Sequence, residues 1–139
     1  MKANEVFSII YSKGGNIYLE NGVLKIALPK ENNSNQLRQL ISQNKRKVQH
    51  YIQMDEKMDE AFKKEKNKVL STYKQANCAT TIGDNPEIIR SFHEIEDRLE
   101  NCWKACRDGE QNFEDFLSTL KDWVGLYISR INASKRKDG

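Results

Sequence analysis

Histidine is nearly absent from this chain of 139 residues, with only His50 and His93, and the motifs that usually frame a reactive side chain are missing too. There is no Gly-x-Ser-x-Gly elbow, no phosphate loop and no His-Glu-x-x-His pair. The common hydrolase and transferase arrangements each need a positioned nucleophile, base or phosphate cradle, so these absences argue against catalysis. We expect no enzyme activity and no cofactor. Cysteine is scarce as well: Cys78, Cys102 and Cys106 cannot all pair within one chain. With His93 they would make four zinc donors. The spacing of Cys102 and Cys106 is not that of a Cys-x-x-Cys knuckle, however, and both fall on an apolar seam beside Trp103, where free cysteine packs as a small hydrophobe. No metal site is expected, and His50 and His93 read as boundary or surface residues. No uninterrupted apolar run approaches the roughly 20 residues that cross a bilayer. The apolar stretch 6–11 is too short for the hydrophobic region of a secretory leader. The sequence predicts a cytoplasmic protein with no membrane partner, and it contains no internal repeat.

Charge is what the chain has in quantity: 31% of residues are charged against 37% hydrophobic. The net +3 conceals a split, since residues 1–53 carry eight basic and three acidic side chains (+5) and residues 54–139 carry fifteen and seventeen (−2). A basic front invites an acidic partner.

The order of elements follows from spacing. Asn4 is a good N-cap, and Val6, Phe7, Ile9 and Ile10 recur at helical intervals until Gly14-Gly15, which predicts a helix over 4–13. Residues 16–20 and 23–27 alternate as two strands around Asn21-Gly22, the dipeptide suited to a type I′ turn. A two-residue loop sets Glu20 opposite Val23, Leu19 opposite Leu24, Tyr18 opposite Lys25 and Ile17 opposite Ile26. Ile17, Leu19, Leu24 and Ile26 would then pack on helices, and Tyr18, Glu20, Val23 and Lys25 would face outward. After Pro29, a helix begins with Leu37, Leu40 and Ile41, can break near Gln43-Asn44, and thins beyond Ile52 into a largely exposed connector ending near Asn77, which completes a three-helix bundle with the two helices after it. Residues 78–85 read as a loop, with Asn85-Pro86 capping the next helix. Ile88, Phe92, Ile95, Leu99, Cys102 and Cys106 step by fours and threes. Gly109 closes that helix, Asn112 and Asp115 cap the last, and Phe113, Phe116, Leu120, Trp123, Tyr127 and Ile131 mark its core face. The tail from Ala133 reads as basic and frayed. The fold class is therefore α+β, mostly α: an N-terminal α-β-β-α(α) module with one two-stranded antiparallel hairpin (1–53), a connecting helix (54–77) and a C-terminal αα-hairpin or helical bundle (78–139).

The segment Gly15-Asn-Ile-Tyr-Leu-Glu-Asn-Gly-Val-Leu-Lys-Ile-Ala-Leu-Pro-Lys30, followed by Leu37-Arg-Gln-Leu-Ile and residues 45–52, resembles the N-terminal docking domain of the tubulysin synthetase type. The likeness covers about residues 3–53. It implies a bacterial, homodimeric docking domain whose hairpin edge receives the acidic C-terminal tail of another protein, with Tyr18, Lys25 and Lys30 meeting that partner. Where that family often has Ala-Pro-Lys-Gly, this chain has Ala27-Leu28-Pro29-Lys30-Glu31.

Two functional classes follow. In the first the chain is a non-catalytic adaptor whose hairpin edge pairs with an extended peptide, with Lys25, Lys30 and Lys13 selecting acidic partners. In the second it is a nucleic-acid-associated accessory protein, of a mobile element or replication system, using Arg38, Lys45, Arg46 and Lys47 on phosphates, together with the tail cations 135–137. A blander reading pairs the 88–106 seam between chains as a homo-oligomer.

Overall fold

The computed structural model describes residues 1–32, 35–76 and 85–138. Its first element, α1 (Ala3–Ser12), starts one residue earlier than the sequence reading, because the Lys2 backbone N–H donates to the Glu5 carboxylate at 3.4 Å and makes Lys2 the cap. It ends as expected. Gly14, at φ 76°, reverses the chain, and the N–H groups of Gly14 and Gly15 donate to the carbonyls of Tyr11 and Ile10, both at 3.0 Å.

Two strands follow, β1 (Asn16–Glu20) and β2 (Val23–Ala27), antiparallel and in the predicted register. Asn21 and Gly22, at φ 54° and 78°, supply the two positive dihedrals of a type I′ turn. The hairpin lies on α1 and the start of α3 (Lys45–Ala76), with α2 (Asn35–Gln43) packed against both helices. Val6, Phe7, Ile10, Ile17, Ile41 and Val48 form the buried cluster there, with Leu24, Leu28, Leu37, Tyr51 and Ile52 at its margin. Tyr18, Glu20, Val23 and Lys25 are exposed as expected, but Ile26 is not covered: it remains 38% exposed. The reason is geometric, since the helices lie under β1 and β2 overhangs them, so that Leu28 rather than Ile26 reaches the cluster.

The break at Asn44 is present. Its side-chain amide donates to the Leu40 carbonyl at 2.8 Å, satisfying a polar group that is buried where α2 turns into α3. From there α3 runs unbroken for 32 residues, about 48 Å at helical rise. It crosses residue 53 without a boundary in the helix, although the packing changes there. Val48, Tyr51 and Ile52 belong to the first cluster, and Met54, Met58, Ala61, Phe62 and Val69 to a second. The connector is thus the third helix of a bundle, as expected, with Met58 and Val69 buried in it.

The other two helices are α4 (Pro86–Arg107) and α5 (Phe113–Asp138). Asn85 caps α4 by accepting from the Glu87 N–H at 2.9 Å, with Pro86 in the first position. Of the loop expected over 78–85, only Asn85 falls among the described residues. At α5, Asn112 and Asp115 exchange side-chain to backbone hydrogen bonds of 2.9 and 3.2 Å. Ile95, Leu99, Cys102 and Cys106 of α4 are buried against Phe116, Leu120, Trp123 and Ile131 of α5 and against α3, while the buried Phe92 packs on Tyr127 with ring centres 4.6 Å apart. The seam from Ile95 to Cys106 is therefore filled within the chain. Phe62 stands between Trp103 and Trp123, at 5.8 and 5.2 Å between ring centres. The tail is not frayed in backbone: α5 continues to Asp138. No helix among the described residues is long and apolar enough to cross a membrane.

Candidate functional site

Hydrogen-bond parity decides which backbone groups of the hairpin are available. With Glu20 and Val23 flanking a two-residue turn, the pairs 20–23, 18–25 and 16–27 exchange backbone hydrogen bonds, and the groups of Leu24 and Ile26 point away from β1. They find no other backbone partner among the described residues. The sheet has only two strands there, so the outer side of β2 is an edge. β1, by contrast, is backed by α1 and α3.

Around this edge the structure brings together the side chains expected to meet a partner. Tyr18 and Lys25 are direct cross-strand neighbours on the outward face, with Val23 beside them; Tyr18 and Val23 are 40% and 54% exposed. Lys13 ends α1 and Lys30 opens the 3-10 turn Lys30–Asn32. Their neighbours in sequence nearly touch, since a Cβ on Gly14 would stand 3.4 Å from Pro29 Cγ, so both lysines lie at the open end of the hairpin. Glu20 and Glu31 lie in the same region, so the local excess of positive charge is modest.

The four cations of the nucleic-acid reading do not all meet. Arg46 and Lys47 line a cleft of about 420 Å³ with Lys2, His50, Arg107, Asp108 and Glu110, whereas Arg38 and Lys45 do not line it. The Lys47 ammonium donates to the Met1 carbonyl at 3.1 Å, and Lys2 pairs with Glu110 at 3.5 Å. His50 Nε2 is 3.0 Å from the Cys106 carbonyl, which can only accept, so that nitrogen carries the proton. Arg107 donates to Asp55 at 3.2 Å and lies 4.8 Å over the Tyr51 ring, while Trp103 Nε1 donates to the same Asp55 oxygen at 2.8 Å. Burial pushes the Tyr51 hydroxyl above its ordinary value, and the carboxylates of Asp55 and Asp108 add to that against the opposing pull of Arg107. Lys2 and Arg107 were missed in the sequence because nothing local links them to Arg46 and Lys47.

The cysteines offer little chemistry. Cys102 and Cys106 are buried with their sulfurs 4.0 Å apart, and Cys106 donates to the Asn112 carbonyl at 3.2 Å. Burial, followed by the neighbouring Cys102, pushes the Cys106 thiol up to about 12, so it stays neutral and unreactive. His93 is exposed on α4 nine positions before Cys102, about 13 Å along the helix, too far to share an ion with it. Cys78 lies outside the described residues, and among those described no group of three or more histidine, cysteine, aspartate or glutamate side chains could hold a metal. No protein-family model matches the chain, and no curated protein or solved structure matches it.

Proposed function

We propose that this chain is a non-catalytic docking module that captures an extended segment of another protein by adding it as a strand to β2. One observation carries the reading: Ile26 sits on the inward face of the hairpin, is exposed, and lies on the strand whose outer amide and carbonyl groups find no backbone partner among the described residues. An added strand would satisfy those groups and cover Ile26 with its own inward side chains. Main-chain hydrogen bonds then give affinity, and pockets beside Ile26 and Leu24 give register.

The preferred occupant is an acidic segment, such as a C-terminal tail, because Lys13, Lys25 and Lys30 flank the edge and the first 53 residues are net positive. A second copy pairing β2 with β2 in the register centred on Lys25 would set Lys25 against Lys25, a like-charge pair that disfavours it. A cytoplasmic location belongs to the same reading, in keeping with the lack among the described residues of a helix long and apolar enough to cross a membrane. The nucleic-acid reading has less behind it, because only two of its four cations share a cleft and two carboxylates share it with them.

The test is fluorescence anisotropy with a labelled ten-residue peptide that alternates isoleucine and glutamate. Reversing Lys25 and Lys30 to glutamate should weaken capture about 30-fold, taking about 1 kcal/mol for each lost exposed attraction and its replacement by repulsion. Affinity that survives both reversals would sink the charge selection. Absence of any capture would sink the docking role.

A further inference from the structure

The cleft between the start of α1, the first turns of α3 and the α4–α5 connection has no part in strand capture. It is nonetheless the more built of the two sites. Four cations border it, and their compensation is incomplete: Lys47 is held only by a neutral carbonyl, and neither Arg46 nor Lys47 has a carboxylate partner among the described residues. Counting Lys2, Arg46, Lys47 and Arg107 against Asp108 and Glu110, the lining is net positive by two. The N-terminal ends of α1 and α3 both lie here, through Ala3 and through Arg46 and Lys47, and their two partial positive charges outnumber the one partial negative charge of the α4 C-terminus at Arg107 and Asp108.

Two of the lining residues, Arg107 and Asp108, each keep one buried polar atom without a partner among the described residues, Arg107 Nε as donor and Asp108 Oδ1 as acceptor. Buried polar atoms without partners are uncommon and call for a ligand or a water. A plain anion would serve the arginine and be repelled by the aspartate. A molecule with an anionic group at one end and a hydroxyl or amine near it serves both.

We propose that this cleft binds a small phosphorylated molecule that also carries a hydroxyl or amino donor. The phosphate lies against Arg46 and Lys47 beside the Arg107 side chain, and the donor is accepted by the Asp108 carboxylate. A volume of about 420 Å³ suits a ligand of sugar-phosphate to nucleotide size, within the usual range for small-molecule sites. The inference stands independently of the docking role.

The experiment titrates the intact chain with ribose 5-phosphate at low salt, read by amide chemical shifts. Saturable shifts should centre on Lys47, His50 and Gly109, which border the cleft. Arg46→Glu with Lys47→Glu should weaken binding at least tenfold. Lys66→Glu with Lys74→Glu, an equal charge change about 30 to 40 Å further along α3, should leave it unchanged, and thermal melts establish that both variants fold. Asp108→Asn should weaken ribose 5-phosphate while sparing inorganic phosphate. The idea is overturned by no saturable binding, by shifts centred elsewhere, or by equal losses in the two double variants. It is also overturned if a ten-nucleotide single strand binds the same residues far more tightly than the sugar phosphate, because the phosphate would then belong to nucleic acid.

Discussion

Gly15→Ala should destabilise the protein through contact alone. Unlike Gly14, Gly15 does not have a positive φ, so alanine there meets no backbone strain. What it meets is matter: an added Cβ would stand 2.5 Å from Leu28 Cδ2, 2.9 Å from the Ala27 carbonyl oxygen and 3.0 Å from Ile10 Cγ2. The leucine can rotate away. The carbonyl belongs to the end of β2 and moves only with the strand. Overpacking of this kind costs about 1–3 kcal/mol, and the reduced freedom of the unfolded chain returns about 0.4–1 kcal/mol. The net is a loss of about 1–2 kcal/mol. With a urea dependence of about 1.5 kcal/mol/M for a chain of this size, the unfolding midpoint falls by about 1 M. Leu28→Ala separates the two contacts. In the double variant the Gly15→Ala penalty should shrink without vanishing, leaving the share due to the carbonyl. A Gly15→Ala protein with the parental midpoint would refute the packing of the hairpin on α1, and with it the placement of the β2 edge.

Other outcomes test other parts. Asp55→Ala removes the shared acceptor of Trp103 and Arg107 and should cost about 2 kcal/mol in urea unfolding, while Asp55→Asn, which keeps an acceptor for the indole, should cost about half as much. The raised Cys106 thiol binds its proton in the folded chain after the unfolded chain has lost it, so stability should be flat below about pH 9 and decline from there toward about pH 12. The raised Tyr51 and Tyr127 hydroxyls act in the same direction above about pH 10, so Cys106→Ala should flatten urea midpoints chiefly between pH 9 and 10. Gly22→Ala, at φ 78°, should cost about 1 kcal/mol through the turn with no clash, since nothing lies within 4 Å of its added Cβ.

The hairpin was legible because a two-residue turn fixes register, and register fixes faces: one dipeptide, Asn21-Gly22, determined four cross-strand pairs. The caps at Asn85 and Asn112 were legible for a similar reason, each being a local exchange of hydrogen bonds within three residues. Ile26 shows where this stops, since alternation tells which face a side chain takes but not whether a helix extends far enough to cover it. The start of α1 turned on which of Lys2 and Asn4 sat within reach of Glu5, a choice that N-cap preference alone ranks the wrong way. The apolar pattern of α3 was enough to place it in a three-helix bundle but too thin to show how deeply Met58 and Val69 are buried, because their partners lie on α4 and α5, far along the sequence. The basic cleft lay furthest out of reach. Its walls come from residues 2, 46–50 and 107–110, and only the α4–α5 turn swinging back onto α3 brings them together.

The strand-addition account is tested most directly by amide hydrogen exchange at Leu24 and Ile26, measured with and without the alternating acidic peptide. In the free chain these amides face away from β1 and should exchange fast, whereas those of Val23 and Lys25, bonded within the hairpin, should be slower. At saturation with the peptide, Leu24 and Ile26 should slow at least tenfold and the outward groups of β1, at Ile17 and Leu19, should not change. Peptide that binds while Leu24 and Ile26 continue to exchange freely would contradict the account.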